Sequence, residues 1–79
     1  MAEKDVFTKR QLSSLGKRLR ELRKKQGYSN YEQFAYKNDI PRAQYGRYEN
    51  GEDLRFSSLV KVLKALNISL KEFFSEEFE

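Results

Sequence analysis

Leucines recur along the first third of the chain at Leu12, Leu15, Leu19 and Leu22, and charged or polar residues fill most of the positions between them. Spacings of three, four and three put one apolar stripe on a helix, with the basic residues on its other sides. Gly27 is placed to end that helix in the left-handed conformation. Residues 1–8 precede the stripe and are expected to form a flexible tail. Val6 and Phe7 either staple onto the helix or remain free.

A second helix is expected from Asn30, which forms a capping-box pattern with Gln33, as Ser29 does with Glu32. Phe34 and Ala35 would face inward and Tyr31 would sit at the exposed first turn. Asn38-Asp39 is a turn signal, and Ile40 would plug the turn into the core. Pro41 suits the start of a third helix over 41–49, where its missing N–H costs nothing. Around that helix, residues 42, 43, 46 and 47 fall on one side, and Tyr45 and Tyr48 on the other. Gly51 ends it. A loop from Glu52 to Arg55 leads to a fourth helix capped by Ser57 or Ser58, with Phe56, Leu59, Val60, Leu63 and Leu66 as its apolar face. Asn67 can end it at positive φ. Ser69 and Glu72 form another capping box, opening a short last helix with Leu70, Phe73 and Phe74. No segment alternates like a strand and no useful repeat is present. The reading is an all-α domain of about five helices over residues 9–79, with a helix, turn and helix at its centre over 30–50. Two short helices joined by a tight turn suit insertion of one of them into a DNA groove.

Composition narrows the chemistry. With 79 residues there is one domain, and a chain this size buries only about 60–65% of its unfolded surface. There is no cysteine and no histidine. Disulfides, cysteine- or histidine-based zinc sites, imidazole bases and Ser-His triads are therefore excluded, and no metal, cofactor or small-molecule ligand is expected. The N-terminus lacks the apolar core of a signal peptide, and Leu59 to Leu66 is interrupted by Lys61 and Lys64. The expectation is a cytoplasmic protein with no membrane partner.

Charge points to a partner. Eight basic residues (Lys9, Arg10, Lys17, Arg18, Arg20, Arg23, Lys24, Lys25) and one acid, Glu21, lie between Lys9 and Lys25, whereas the last eight residues hold four acids and no base. A polyanionic partner for one face fits this asymmetry, against the plainer reading of a solvated helix face.

The run Leu-Gly-Lys-Arg-Leu-Arg-Glu-Leu-Arg-Lys-Lys-Gln-Gly (15–27) resembles the first helix of the XRE/Cro-type helix-turn-helix domain, the lambda-repressor-like fold. Ala35 stands at that family's small packing residue and Ile40 at its turn hydrophobe. Arg47-Tyr48-Glu49-Asn50-Gly51 resembles its Arg-Ile-Glu-x-Gly ending, and Leu-Lys-Ala-Leu-Asn-Ile-Ser-Leu-Lys-Glu-Phe-Phe (63–74) resembles its closing segment. The likeness covers 12–74. This chain departs from the pattern by one extra residue after Gly27, by Asp39 for the turn glycine, by Pro41 for the Ser/Thr cap, and by tyrosines at 45 and 48 for aliphatics.

The resemblance implies a third helix in the major groove with Arg42, Ala43, Gln44, Gly46 and Arg47 at the base edges. Arginine pairs bidentately with guanine, glutamine with adenine, and the alanine methyl touches a thymine methyl. Gly46, costly within a helix, would allow close backbone approach to another molecule, or else relieve crowding beside Tyr45. Phosphate contacts are implied for Tyr31, Asn50 and Arg55, against ring packing on Tyr28, turn capping and bare solvation respectively. Arg23 and Glu49 match a largely buried structural ion pair. Phe73, Phe74 and Phe78 have two readings, closure of the small core or a homodimer seam for paired half-sites. The implied function is sequence-specific binding of double-stranded DNA by a bacterial or phage transcriptional regulator. The rivals are an antitoxin or other subunit that docks a separate effector, and a protein-interaction module that has lost DNA readout. No paired carboxylates in an apolar setting support an enzyme.

Overall fold

The computed structural model describes residues 5–75. Its five α-helices are α1 (Asp5–Lys25), α2 (Tyr31–Lys37), α3 (Arg42–Glu49), α4 (Phe56–Leu66) and α5 (Leu70–Phe73), and there is no strand among the described residues. The leucine stripe faces the core as expected: Leu19 is fully buried and Leu15 and Leu22 pack against it. The core joins Leu19 to Phe34 and Ala35 of α2, Tyr45 and Tyr48 of α3, Leu59, Val62, Leu63 and Leu66 of α4, and Phe73 of α5.

The helix ends share one device. At the end of each of the first four helices one residue takes positive φ: Gly27 (98°), Asp39 (59°) and Gly51 (91°) just past the caps of α1, α2 and α3, and Asn67 (59°) as the cap of α4 itself. The next amide then reaches back across the last turn. Tyr28 N–H donates to Arg23 O, Ile40 N–H to Ala35 O, Glu52 N–H to Arg47 O and Ile68 N–H to Leu63 O. These are Schellman closures, which satisfy carbonyls the helix itself leaves free. In three of them the reaching residue is apolar (Tyr28, Ile40, Ile68) and packs against the core, so the turns are fastened by burial as well.

Four expectations need correction. α1 begins at Asp5, so residues 5–8 of the expected tail are helical; no glycine or proline interrupts them, and Val6 and Phe7 stay exposed on the helix rather than stapling to it. Pro41 caps α3 from just outside, with helical residues starting at Arg42. Neither Ser57 nor Ser58 caps α4: Arg55 holds the cap position, without a side-chain bond. The buried face of α4 is Leu59, Val62, Leu63 and Leu66, whereas Phe56 is 63% exposed and Val60 39%. Asn30 does cap α2, its Oδ1 accepting from Gln33 N–H at 2.8 Å. The Ser69–Glu72 capping box opens α5 with both reciprocal bonds.

Candidate nucleic-acid interface

α3 is anchored from beneath by its two tyrosines. Tyr45 is fully buried and Tyr48 is 5% exposed, with the Tyr45 ring 5.0 Å from Phe34 and 6.4 Å from Tyr48. Their spacing of three turns the opposite side of α3 outward.

α1 meets α3 closely. A Cβ at Gly16 would stand 2.6 Å from the Glu49 carbonyl oxygen and 2.7 Å from that of Tyr48. That close approach brings Arg23 onto Glu49 in a two-pronged pair, Nε to Oε2 at 2.9 Å and Nη2 to Oε1 at 2.8 Å. Arg23 also donates from Nη1 to Tyr28 O at 2.9 Å, tying the end of α1 to the loop before α2. Burial pushes the Glu49 carboxyl up, but the hydrogen bonds and charge of Arg23, helped by the Tyr45 hydroxyl and the charge of Arg20, outweigh it, and the net displacement is downward. The same hydrogen bonds push Arg23 upward. The Tyr45 hydroxyl lies buried in the same neighbourhood with no hydrogen bond of good geometry, and burial, reinforced by the Glu49 carboxylate, pushes it up.

The residues expected at base edges divide. Arg42, Ala43 and Arg47 are exposed on the outer side of α3. Arg47 keeps only a loose surface pair with Glu52, Nε to Oε1 at 3.8 Å. Gln44 departs from the expectation: it is half-buried, its amide donates to the Tyr48 hydroxyl, and it borders a hollow with Ile40, Pro41 and Lys61. Gly46 departs further, since it is buried. The ring of Tyr31 covers it, so the group approaching that backbone is a side chain of this protein.

The residues expected at phosphates divide as well. Tyr31, at 36% exposure, and the exposed Asn50 line one polar depression between α1, α2 and α3. Arg55 is exposed at the start of α4 and does not border it. Two cations that family likeness did not single out, Arg20 and Lys24, form the α1 wall. Arg20 is half-exposed and only 3.6 Å from the Glu49 carboxylate, a second and looser partner to it. Their i, i+4 spacing on the side of α1 that carries Gly16 was the signal available in the sequence. Gly16 itself lies within the family-like run, where nothing in the sequence marks it as a helix contact.

The aromatic tail also divides. Phe73 is fully buried and closes the core, with the Arg18 guanidinium 5.5 Å from its ring centre and Arg18 Nε donating to its carbonyl at 2.7 Å. Phe74 is 48% exposed and stands edge-on to Phe73 at 4.9 Å. Phe78 lies outside the described residues. Among the described residues no helix is long and apolar enough to cross a membrane.

A capped helix, a Schellman turn and a second helix tethered through its tyrosines and Glu49, with arginines on its free side, define a helix-turn-helix domain. The chain belongs to the helix-turn-helix family of the XRE/Cro type, whose model matches residues 19–73. Membership in this family implies DNA binding and a domain of typically non-enzymatic kind. No curated protein and no solved structure matches the chain.

Proposed function

We propose that this protein is a sequence-specific transcriptional regulator of bacterial or phage type that reads the DNA major groove with α3. The observation that carries the reading is the two-sided build of α3: Tyr45, Tyr48 and Glu49 hold one side in the core while Arg42, Ala43 and Arg47 are exposed on the other. Arg42 and Arg47 are proposed to meet guanine edges and Ala43 a thymine methyl. Tyr31, Asn50 and Arg55 position the domain through backbone phosphates. Gln44 and Gly46 are left out of base readout, because one is engaged by Tyr48 and the other is covered. Leu70 on α5 and Phe74 just past its end, 40% and 48% exposed, support a homodimer that would set two α3 helices on paired half-sites; Phe73, as core, takes no part. This domain would regulate by occupying DNA or by recruiting another protein.

Charge reversal tests it. Arg42→Glu and Arg47→Glu are each expected to abolish sequence-specific duplex binding in a gel-shift or anisotropy titration while leaving the melting temperature within about 2 °C of wild type, since both side chains are exposed. Retained specific binding in both variants would refute α3 as the reading helix.

A further inference from the structure

Gly46 stands in the middle of α3 beside Ala43 and Arg47, where alanine would favour the helix more. No backbone requirement explains it, because the glycines at positive φ are Gly27 and Gly51. Its missing side chain does. A Cβ at 46 would lie 2.8 Å from Tyr31 Cε1, 3.0 Å from Cζ and 3.2 Å from the hydroxyl oxygen. The outer half of the Tyr31 ring therefore occupies a notch that any other residue would fill. The ring is backed by Tyr45, 6.4 Å away between centroids.

The notch opens on the polar depression whose walls are Arg20 and Lys24 of α1, Asn30 at the start of α2 and Asn50 at the end of α3. Glu49, the acid in that depression, is matched closely by Arg23 at 2.8 Å and loosely by Arg20 at 3.6 Å. What remains toward solvent is a partly exposed arginine, a lysine, two amides and the phenol. That set suits an anion with several acceptor oxygens, and next to a groove-reading helix the anion is a phosphodiester of the DNA backbone.

We propose that Gly46 is a positioning residue: its notch seats the Tyr31 ring so that the hydroxyl, with Arg20 and Lys24 across the depression, holds one backbone phosphate and thereby sets how α3 meets the groove. This rests on the DNA-binding reading above. Gly46 thus acts on DNA through Tyr31, not by letting DNA touch the helix backbone.

A double-mutant cycle with a duplex selected by the wild-type protein is the test. Gly46→Ala expels the ring but adds a helix-favouring residue, so the melting temperature is expected to stay at or above wild type while Kd rises about tenfold, the scale of one hydrogen bond to a charged group. Tyr31→Phe, which keeps the ring and drops the hydroxyl, is expected to weaken binding to a similar degree. In a Tyr31→Ala background, Gly46→Ala is expected to cost nothing further. An equal loss in both backgrounds, no loss from Gly46→Ala, or full affinity in Tyr31→Phe would each overturn the proposal. In the free protein, nuclear Overhauser contacts between the Gly46 α-protons and the Tyr31 ring are expected, and their absence would overturn the notch itself. A wild-type protein that shows those contacts yet binds no duplex would sink the DNA reading and the phosphate seat with it, leaving the notch as packing alone.

Discussion

Glu49 sits with 3% of its side chain exposed, against an Arg23 side chain at 5%, and neither charge has water to fall back on. Taking away one partner leaves the other buried and unmatched, at a cost of about 3–5 kcal/mol. For a domain this size Glu49→Ala is therefore expected to lower the melting temperature by at least about 12 °C; an unchanged melting curve would contradict the pairing. The pH dependence has a definite sign. Because the folded carboxyl titrates below its ordinary value, its contribution is complete above about pH 4.3 and is lost as pH falls through the lower, folded value. The stability gap between wild type and Glu49→Gln is expected to narrow below that point and to stay constant above it, as read by thermal melts across pH 2–7. At this scale the sequence was informative where one helix decides the outcome. Tyr45 and Tyr48 share a face by spacing alone. It was silent where a second helix decides it: Gly46 looks exposed on the α3 wheel, and only the packing of α2 brings Tyr31 over it.

Elements were legible to the extent that their ends carry local chemistry. Gly27, Gly51 and Asn67 marked stops because their residue types tolerate positive φ, and Asn30 and Ser69 marked starts because their side chains can take an amide hydrogen bond. The face of α4 was less legible. A 3.6-residue period fits Phe56, Leu59, Val60 and Leu63 as well as Leu59, Val62, Leu63 and Leu66, and the rest of the fold chose the second set. The start of α1 was missed because its apolar stripe begins at Leu12, while the backbone continues as helix back to Asp5. The tight packing of Gly16 against the last carbonyls of α3 left no periodic trace. It makes a sharp prediction. Gly16→Ala adds a helix-favouring residue, yet its Cβ would collide with backbone at 2.6 Å. Backbone cannot swing aside as a side chain can, so the substitution is expected to destabilise by about 1–3 kcal/mol in urea unfolding. A stabilised Gly16→Ala protein would mean that α1 and α3 do not pack as described.

For the whole molecule, the charge asymmetry in the sequence gains a location. Basic residues run the length of α1, and those that wall the depression beside α3 are Arg20, Arg23 and Lys24, with Arg23 committed to Glu49. If that side meets phosphates, affinity is expected to fall with salt by about 0.9 log units per tenfold change for each phosphate neutralised, and Lys24→Gln is expected to reduce the slope by about that amount. A flat salt profile in the wild-type protein would contradict a phosphate-facing surface. Composition alone reached no further than a basic helical domain; the ordered motifs reached the family, and the fold shows which of the expected positions on α3 are exposed, which engaged and which covered.

The most direct trial of the central claim, that the free side of α3 reads bases, is selection of bound duplexes from a random pool, run in parallel with the wild-type protein and with Arg47→Ala. The account predicts one enriched motif for the wild type, containing guanine, and loss of preference at a single guanine position for the variant. A pool that enriches no motif, or the same motif with undiminished preference in the variant, would contradict it.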